Sequence, residues 1–152
     1  MVRKLVVVSA PFKSDAVYPE VQAAFAQMGP ESGEQMKQSP LARMYPNVNW
    51  VRLFTKLGNL LRKNYDWSRE VTAIKAPTML VFADADDVPP AHIAEFYGLL
   101  GGGKKDAGLD GSGRPVAQLA ILPALTHYNI SSSLALSTAV IPFLQAPVPI
   151  PK

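Results

Sequence analysis

Three short, unbroken aliphatic runs constrain this chain most. They are Leu5-Val6-Val7-Val8, Thr78-Met79-Leu80-Val81-Phe82-Ala83 and Val116-Ala117-Gln118-Leu119-Ala120-Ile121-Leu122. None alternates apolar with polar residues, so each reads as a parallel strand covered on both faces. Pro11 stops the first, Pro77 introduces the second, and Pro115 and Pro123 bracket the third. Helical spacing fills the intervals. Val17, Val21, Ala24 and Met28 form one stripe, closed by Gly29-Pro30, and Trp50, Phe54, Leu57 and Leu61 form another. Ile93, Phe96, Tyr97 and Leu100 form a third, ended by three glycines, and a last helix is expected over 131–144, perturbed near its end by Pro142.

This order predicts an α/β chain with right-handed crossovers and a mainly parallel three-stranded sheet. The segment 12–75 is far longer than one crossover helix needs, and is expected to be a helical insertion. It carries Tyr18, Tyr45, Trp50, Tyr65 and Trp67. That makes it a candidate lid or pocket wall, with plain helix–helix packing as the alternative. The proline-rich tail 146–152 is expected to be loose.

Composition narrows the chemistry. At 152 residues, 48% hydrophobic and 18% charged, the chain suits one globular domain. It has no cysteine, which excludes disulfides, thiolate zinc sites, iron–sulfur clusters and a cysteine nucleophile. Two histidines rule out a histidine-rich metal centre, so no metal or cofactor is expected. A net charge of +3, with the cations spread along the chain, is no nucleic-acid footprint. No run approaches the roughly 18–20 apolar residues of a membrane span, and Leu5–Val8 is too short for a signal-peptide core. The expected compartment is the cytoplasm, where the sequon Asn129-Ile130-Ser131 carries little meaning.

In an open α/β sheet the ligand crevice lies beyond the carboxyl ends of the strands. Asp84-Ala85-Asp86-Asp87 follows the second run, and Leu125-Thr126-His127 follows the third. An acid beside a histidine can fix its tautomer and stabilise its protonated form. The alternative is a polar turn with a helix cap and a histidine satisfied locally.

These segments resemble the α/β-hydrolases. Ala76-Pro77-Thr78-Met79-Leu80-Val81-Phe82-Ala83-Asp84-Ala85-Asp86, continued by Pro89-Pro90-Ala91-His92, is similar to that family's seventh strand and acid loop. Leu122-Pro123-Ala124-Leu125-Thr126-His127 is similar to its histidine loop, and Leu5 to Phe12 to its sixth strand ahead of a cap insertion. The resemblance implies a partial α/β-hydrolase fold over 1–152, the C-terminal half of the domain. It implies Asp86 as the triad acid and His127 as the general base, with Asp84 and Asp87 as the other acids to consider. The family usually has Gly where Ala83 stands, which should alter the turn.

The resemblance also shows what is missing. The family's serine sits in a G-x-S-x-G elbow that precedes the acid and the histidine in chain order. No such pentapeptide occurs, and Gly111-Ser112-Gly113 falls in a loop before the third strand. Ser9 and Ser14 are the nearest local hydroxyls, without an elbow or an oxyanion donor pair. The implied activity is esterase-like, transferring an acyl group from a small-molecule ester to water, with the serine supplied from elsewhere. The other reading is a non-catalytic half-domain acting as an interaction module. A first strand without its neighbour predicts an open edge, hence a homo-oligomer or a complementary N-terminal half as partner.

Two further motifs fail. Gly98-Leu99-Leu100-Gly101-Gly102-Gly103-Lys104-Lys105 nearly spells a phosphate loop, but Lys105 stands where a magnesium-binding hydroxyl belongs. Asp84 to Asp87 is not a calcium loop, because Val88 occupies a ligand position. Arg43, Arg52, Lys56, Arg62 and Lys63 read as the solvated face of the insertion's helices.

Overall fold

A computed structural model describes residues 2–148. Residues 149–152 of the expected loose tail lie outside the described residues. The described residues form two compact units, 17–65 and the rest.

The larger unit is built on three parallel strands, β1 (Leu5–Val8), β2 (Thr78–Ala85) and β3 (Gln118–Thr126), in the order β1-β2-β3. Leu5 pairs with Thr78 and Val8 with Val81, and Leu80 pairs with Leu119. Only β2 is covered on both faces, as its central place requires; Leu80, Val81 and Phe82 have no exposed surface. β1 is half-buried throughout, and β3 exposes Ile121. The uniform burial expected of all three strands therefore holds for one, because two of three strands in an open sheet are edges.

β3 also runs through Pro123 rather than stopping before it. The register slips between Ala83 and Ala85, and Ala124 takes φ 58°. This irregularity absorbs the residue that has no N–H to give the ladder.

Alternation sends Met79, Val81 and Ala83 to one face of β2, where they join Leu122, Ile130 and Phe143 in one apolar cluster. Phe143 comes from α7 (Leu134–Gln145), whose Leu136, Ala139 and Val140 pack on the same cluster. Ser133 caps the start of α7, accepting from Ala135 N–H at 3.1 Å, and Pro142 lies inside it. Its other end is held by Lys4. That ammonium donates to the carbonyls of Phe143 and Ala146 and, at 3.2 Å, of Leu144. A cation on orphan C-terminal carbonyls satisfies both their hydrogen bonds and the helix dipole.

Near α6 (Pro90–Leu99), the Phe12 ring stacks on His92 at 4.2 Å and meets Phe96 edge-on at 5.0 Å. Phe12 N–H donates to His92 Nε2 at 3.3 Å, so the ring's proton sits on Nδ1, which is buried without a hydrogen-bond partner, 3.9 Å from Glu95 Oε2. Phe12 O accepts from Trp67 N–H at 3.0 Å, and Lys13 bridges Asp66. The chain thus leaves this unit and re-enters it at adjoining points. Of the expected insertion 12–75, residues 12–16 and 66–75, with the short α5 (Ser68–Thr72), fold with the sheet.

Residues 17–65 hold α1 (Pro19–Gln27), α2 (Pro30–Met36), α3 (Pro40–Met44) and α4 (Trp50–Leu61). Each of the first three starts with proline, whose fixed φ and missing N–H suit the first helical position. The Trp50–Leu61 stripe matches α4, and Trp50 is buried. The tight contacts fall on glycines. A Cβ on Gly33 would lie 2.5 Å from Val51 Cα, and one on Gly58 would lie 2.0 Å from Met28 O. Backbone therefore meets backbone where α2 and the end of α1 cross α4.

His92 generates a pH prediction. Burial, then the nearby Lys13 charge, lower its pKa from 6.5, against the opposing pull of Glu95, Asp15 and Asp66. A base held below its unfolded pKa gives stability that is full above 6.5 and declines as pH falls through that value. The thermal midpoint should drop by a few degrees between about pH 7.5 and about pH 5.5. His92→Gln, which keeps an acceptor for Phe12 N–H, should flatten that decline; an unchanged slope would contradict this role.

Candidate active site

The carboxyl ends of all three strands converge on one carboxylate. Ser9 follows β1, Asp86 and Asp87 follow β2, and His127 follows β3. Asp86 Oδ2 accepts from Ser9 Oγ–H at 2.5 Å and from Ala83 N–H at 3.0 Å. Its Oδ1 faces His127 Nδ1 at 3.2 Å. The Asp86 side chain is 1% exposed, whereas that of His127 is 35% exposed. Burial alone would raise the Asp86 pKa. The bonds from Ser9, Ala83, Asp87 and His127 outweigh it and hold the carboxyl below its ordinary value.

Asp87 is the neighbour that sequence could not place. Its Oδ1 lies 3.0 Å from His127 Nδ1, nearer than Asp86, yet it forms no hydrogen bond. Asp86 Oδ1 meets hydrogen-bond geometry with Nδ1 and Asp87 Oδ1 does not, and distance without alignment is no bond. Asp87 is partly buried, and burial raises its pKa. The nearby His127 opposes this, while Asp86 reinforces it through a hydrogen bond and its charge. The two adjacent acids are thus pushed apart, Asp86 to the lower pKa and Asp87 to the higher.

Asp84 is not an acid for His127. It accepts from Ala124 N–H at 3.0 Å and Leu125 N–H at 3.1 Å, and these bonds hold its pKa low. It clamps the irregular end of β3, the segment that delivers His127. Asn129 Oδ1 then accepts from Thr126 N–H at 2.8 Å and closes the turn after the strand. The His127 ring meets Tyr128 edge-on at 5.5 Å.

Ser9, one of the nearest local hydroxyls, is not placed as a nucleophile. It is 7% exposed, its φ is 45°, and its hydroxyl is spent on the acid. A non-glycine residue in that region costs on the order of 1–3 kcal/mol, which Ser9 N–H to Val81 O and the bond to Asp86 offset. Ser112 is no elbow either: its N–H closes a turn on Asp110. The aromatic residues expected to line a pocket divide. Trp50 is buried within the 17–65 unit, while Tyr18 and Tyr45 are exposed.

Asp86, Asp87 and His127 present three potential metal-ligand atoms within 4.8 Å of one another. The sequence led to no expectation of a metal. A cation there would have to take His127 Nδ1, which is engaged with Asp86.

No model of a known protein family matches this sequence, and no curated protein matches it. Solved structures do. MGS-M2, an α/β-hydrolase enzyme from a Medee basin deep-sea metagenome library, superposes with a TM-score of 0.57 at 16% identity, over 100% of this chain and 60% of its own. Carboxylesterase CesB of Bacillus subtilis gives 0.57 at 16% identity, over 96% and 52%. The enol-lactonase of Burkholderia xenovorans LB400 gives 0.56 at 17% identity, over 95% and 57%. The chain thus spans little more than half the length of these enzymes. Identities this low speak for fold. With three parallel strands and flanking helices in matching places, this chain has a partial α/β-hydrolase fold.

Proposed function

We propose that these residues supply the acid and base of a Ser-His-Asp acyl-transfer site, with the serine contributed from outside the 152 residues. The observation that carries the reading is the hydrogen-bond chain from Ser9 through Asp86 to His127. With its proton on Nδ1, His127 keeps Nε2 free to accept one. A serine hydroxyl placed there would lose its proton to Nε2 as its oxygen bonds to an ester carbonyl. Nε2–H would then protonate the departing alcohol, leaving an acyl-serine. Water repeats the sequence, releasing the acid and restoring the serine. Asp86 stays ionised throughout and stabilises the imidazolium. The proposed substrate class is small carboxylic esters.

The purified chain alone should neither hydrolyse p-nitrophenyl acetate nor react with a fluorophosphonate probe. Mixed with an N-terminal hydrolase half carrying G-x-S-x-G, it should gain both. His127→Ala should then lower turnover by about 10³-fold or more. Turnover by the mixture that His127→Ala leaves unchanged would sink the assignment.

The second reading is a non-catalytic oligomeric module. It is favoured by β1, an edge strand whose outer backbone groups have no partner strand among the described residues. Such an edge is a template for another strand, from a second copy or from the complementary half. For the chain alone a second copy is expected, with the two β1 strands paired about a twofold axis. Light scattering should give at least twice the 16.4 kDa of one chain; a monodisperse single chain would count against this pairing.

A further inference from the structure

The glycine-rich loop between α6 and β3 resembled a phosphate loop in sequence and failed that pattern. Its structure gives it another form. It surrounds a cavity of about 210 Å³, walled by Lys104, Lys105 and Arg114 together with Ser112, Gly101 and Gly113. The cavity lies just ahead of β3, at the amino ends of the strands, so it is separate from Asp86 and His127 at their carboxyl ends.

This loop keeps a net positive charge. Two acids are present, and both are engaged with their own backbone. Asp106 accepts from Gly108 N–H at 2.9 Å, and Asp110 accepts from Ser112 N–H at 3.0 Å. Among the described residues, none of the three cations forms an ion pair. The walls are held in place without them. Gly113 N–H donates to Ala107 O at 2.8 Å, Arg114 N–H to Gly111 O at 3.1 Å and Gly101 N–H to Gly98 O at 3.0 Å. Three like charges around one preformed concavity repel each other, and an anion between them relieves that repulsion. Guanidinium and ammonium donors suit a compact oxyanion of high charge. The volume is below the roughly 300–1,000 Å³ of drug-sized sites, so the charged group must be small.

We propose that this pocket binds a phosphoryl dianion, either as free phosphate or as the head of a small phosphomonoester. A second cavity of about 160 Å³ has a mixed lining, with Ile74, Leu100 and Val116 beside Lys75 and Thr78. The two linings adjoin along the chain at Leu100–Gly101 and Pro115–Val116, so the organic part of a small ester has a place beside the head.

Titration calorimetry on the full chain at fixed ionic strength tests this with inorganic phosphate, butyl phosphate and acetate. Saturable one-to-one binding of a phosphate is expected, with acetate giving no saturable heat. The double variant Lys104→Ala/Arg114→Ala should weaken it at least tenfold while leaving the circular dichroism spectrum unchanged. Tighter binding of butyl phosphate would support the proposal with a phosphomonoester as ligand, and equal affinities would support it with free phosphate. Absence of saturable heat from both phosphates, an unchanged affinity in the variant, or an equal response to acetate would overturn it.

Discussion

A carboxylate taken out of water must be bonded on every side or lose its charge, and Asp86 is bonded on every side. Its partners come from all three strand ends: a hydroxyl after β1, a backbone N–H within β2 and an imidazole after β3. The parallel register brings those ends level, because Val8 lies against Val81 and Ala83 against Leu122. The β3 irregularity, the left-handed Ser9 and the Asp84 clamp each adjust one strand end toward that carboxylate. The second acid fits the same logic. Asp87, whose Oδ1 has no hydrogen-bond partner, is shifted the other way, its pKa raised first by burial.

Much of this was legible in the sequence. Unbroken aliphatic runs located all three strands, although only β2 is covered on both faces and β3 starts at Gln118 and continues to Thr126. The acid and the histidine stood out because each follows a strand at the edge where crevices form. Helical stripes located α4 and α6, whose apolar spacing is regular. What stayed hidden depends on distances across the fold. Nothing in the run of four residues from Asp84 to Asp87 says which carboxylate points at the ring. Ser9 looked like a poor nucleophile, when its partner was an acid far along the chain. The single signal for it was a polar residue closing an aliphatic run. Gly33 and Gly58 escaped for a related reason: a glycine inside a helix reads as a weak helix former until the neighbouring backbone is seen against it.

The two ends of the sheet differ in how they treat charge. At the carboxyl end, Asp86 is almost fully enclosed and matched with donors. At the amino end, three exposed cations share a cavity, and the two local acids accept bonds from their own backbone. The first arrangement orients a group, and the second awaits one. The length of the chain relative to the enzymes it superposes on bears on the first site alone, since the second is built within one continuous loop.

The central claim is that Asp86, not Asp87, fixes the proton of neutral His127 on Nδ1. Long-range proton–nitrogen correlation spectra of the histidine ring read that tautomer directly. The wild-type chain should show His127 with Nδ1 protonated and Nε2 bare. Asp86→Asn should shift it toward the Nε2–H form, while Asp87→Asn should leave it in place. A wild-type ring protonated on Nε2, or a tautomer that responds to Asp87→Asn and not to Asp86→Asn, would contradict the account.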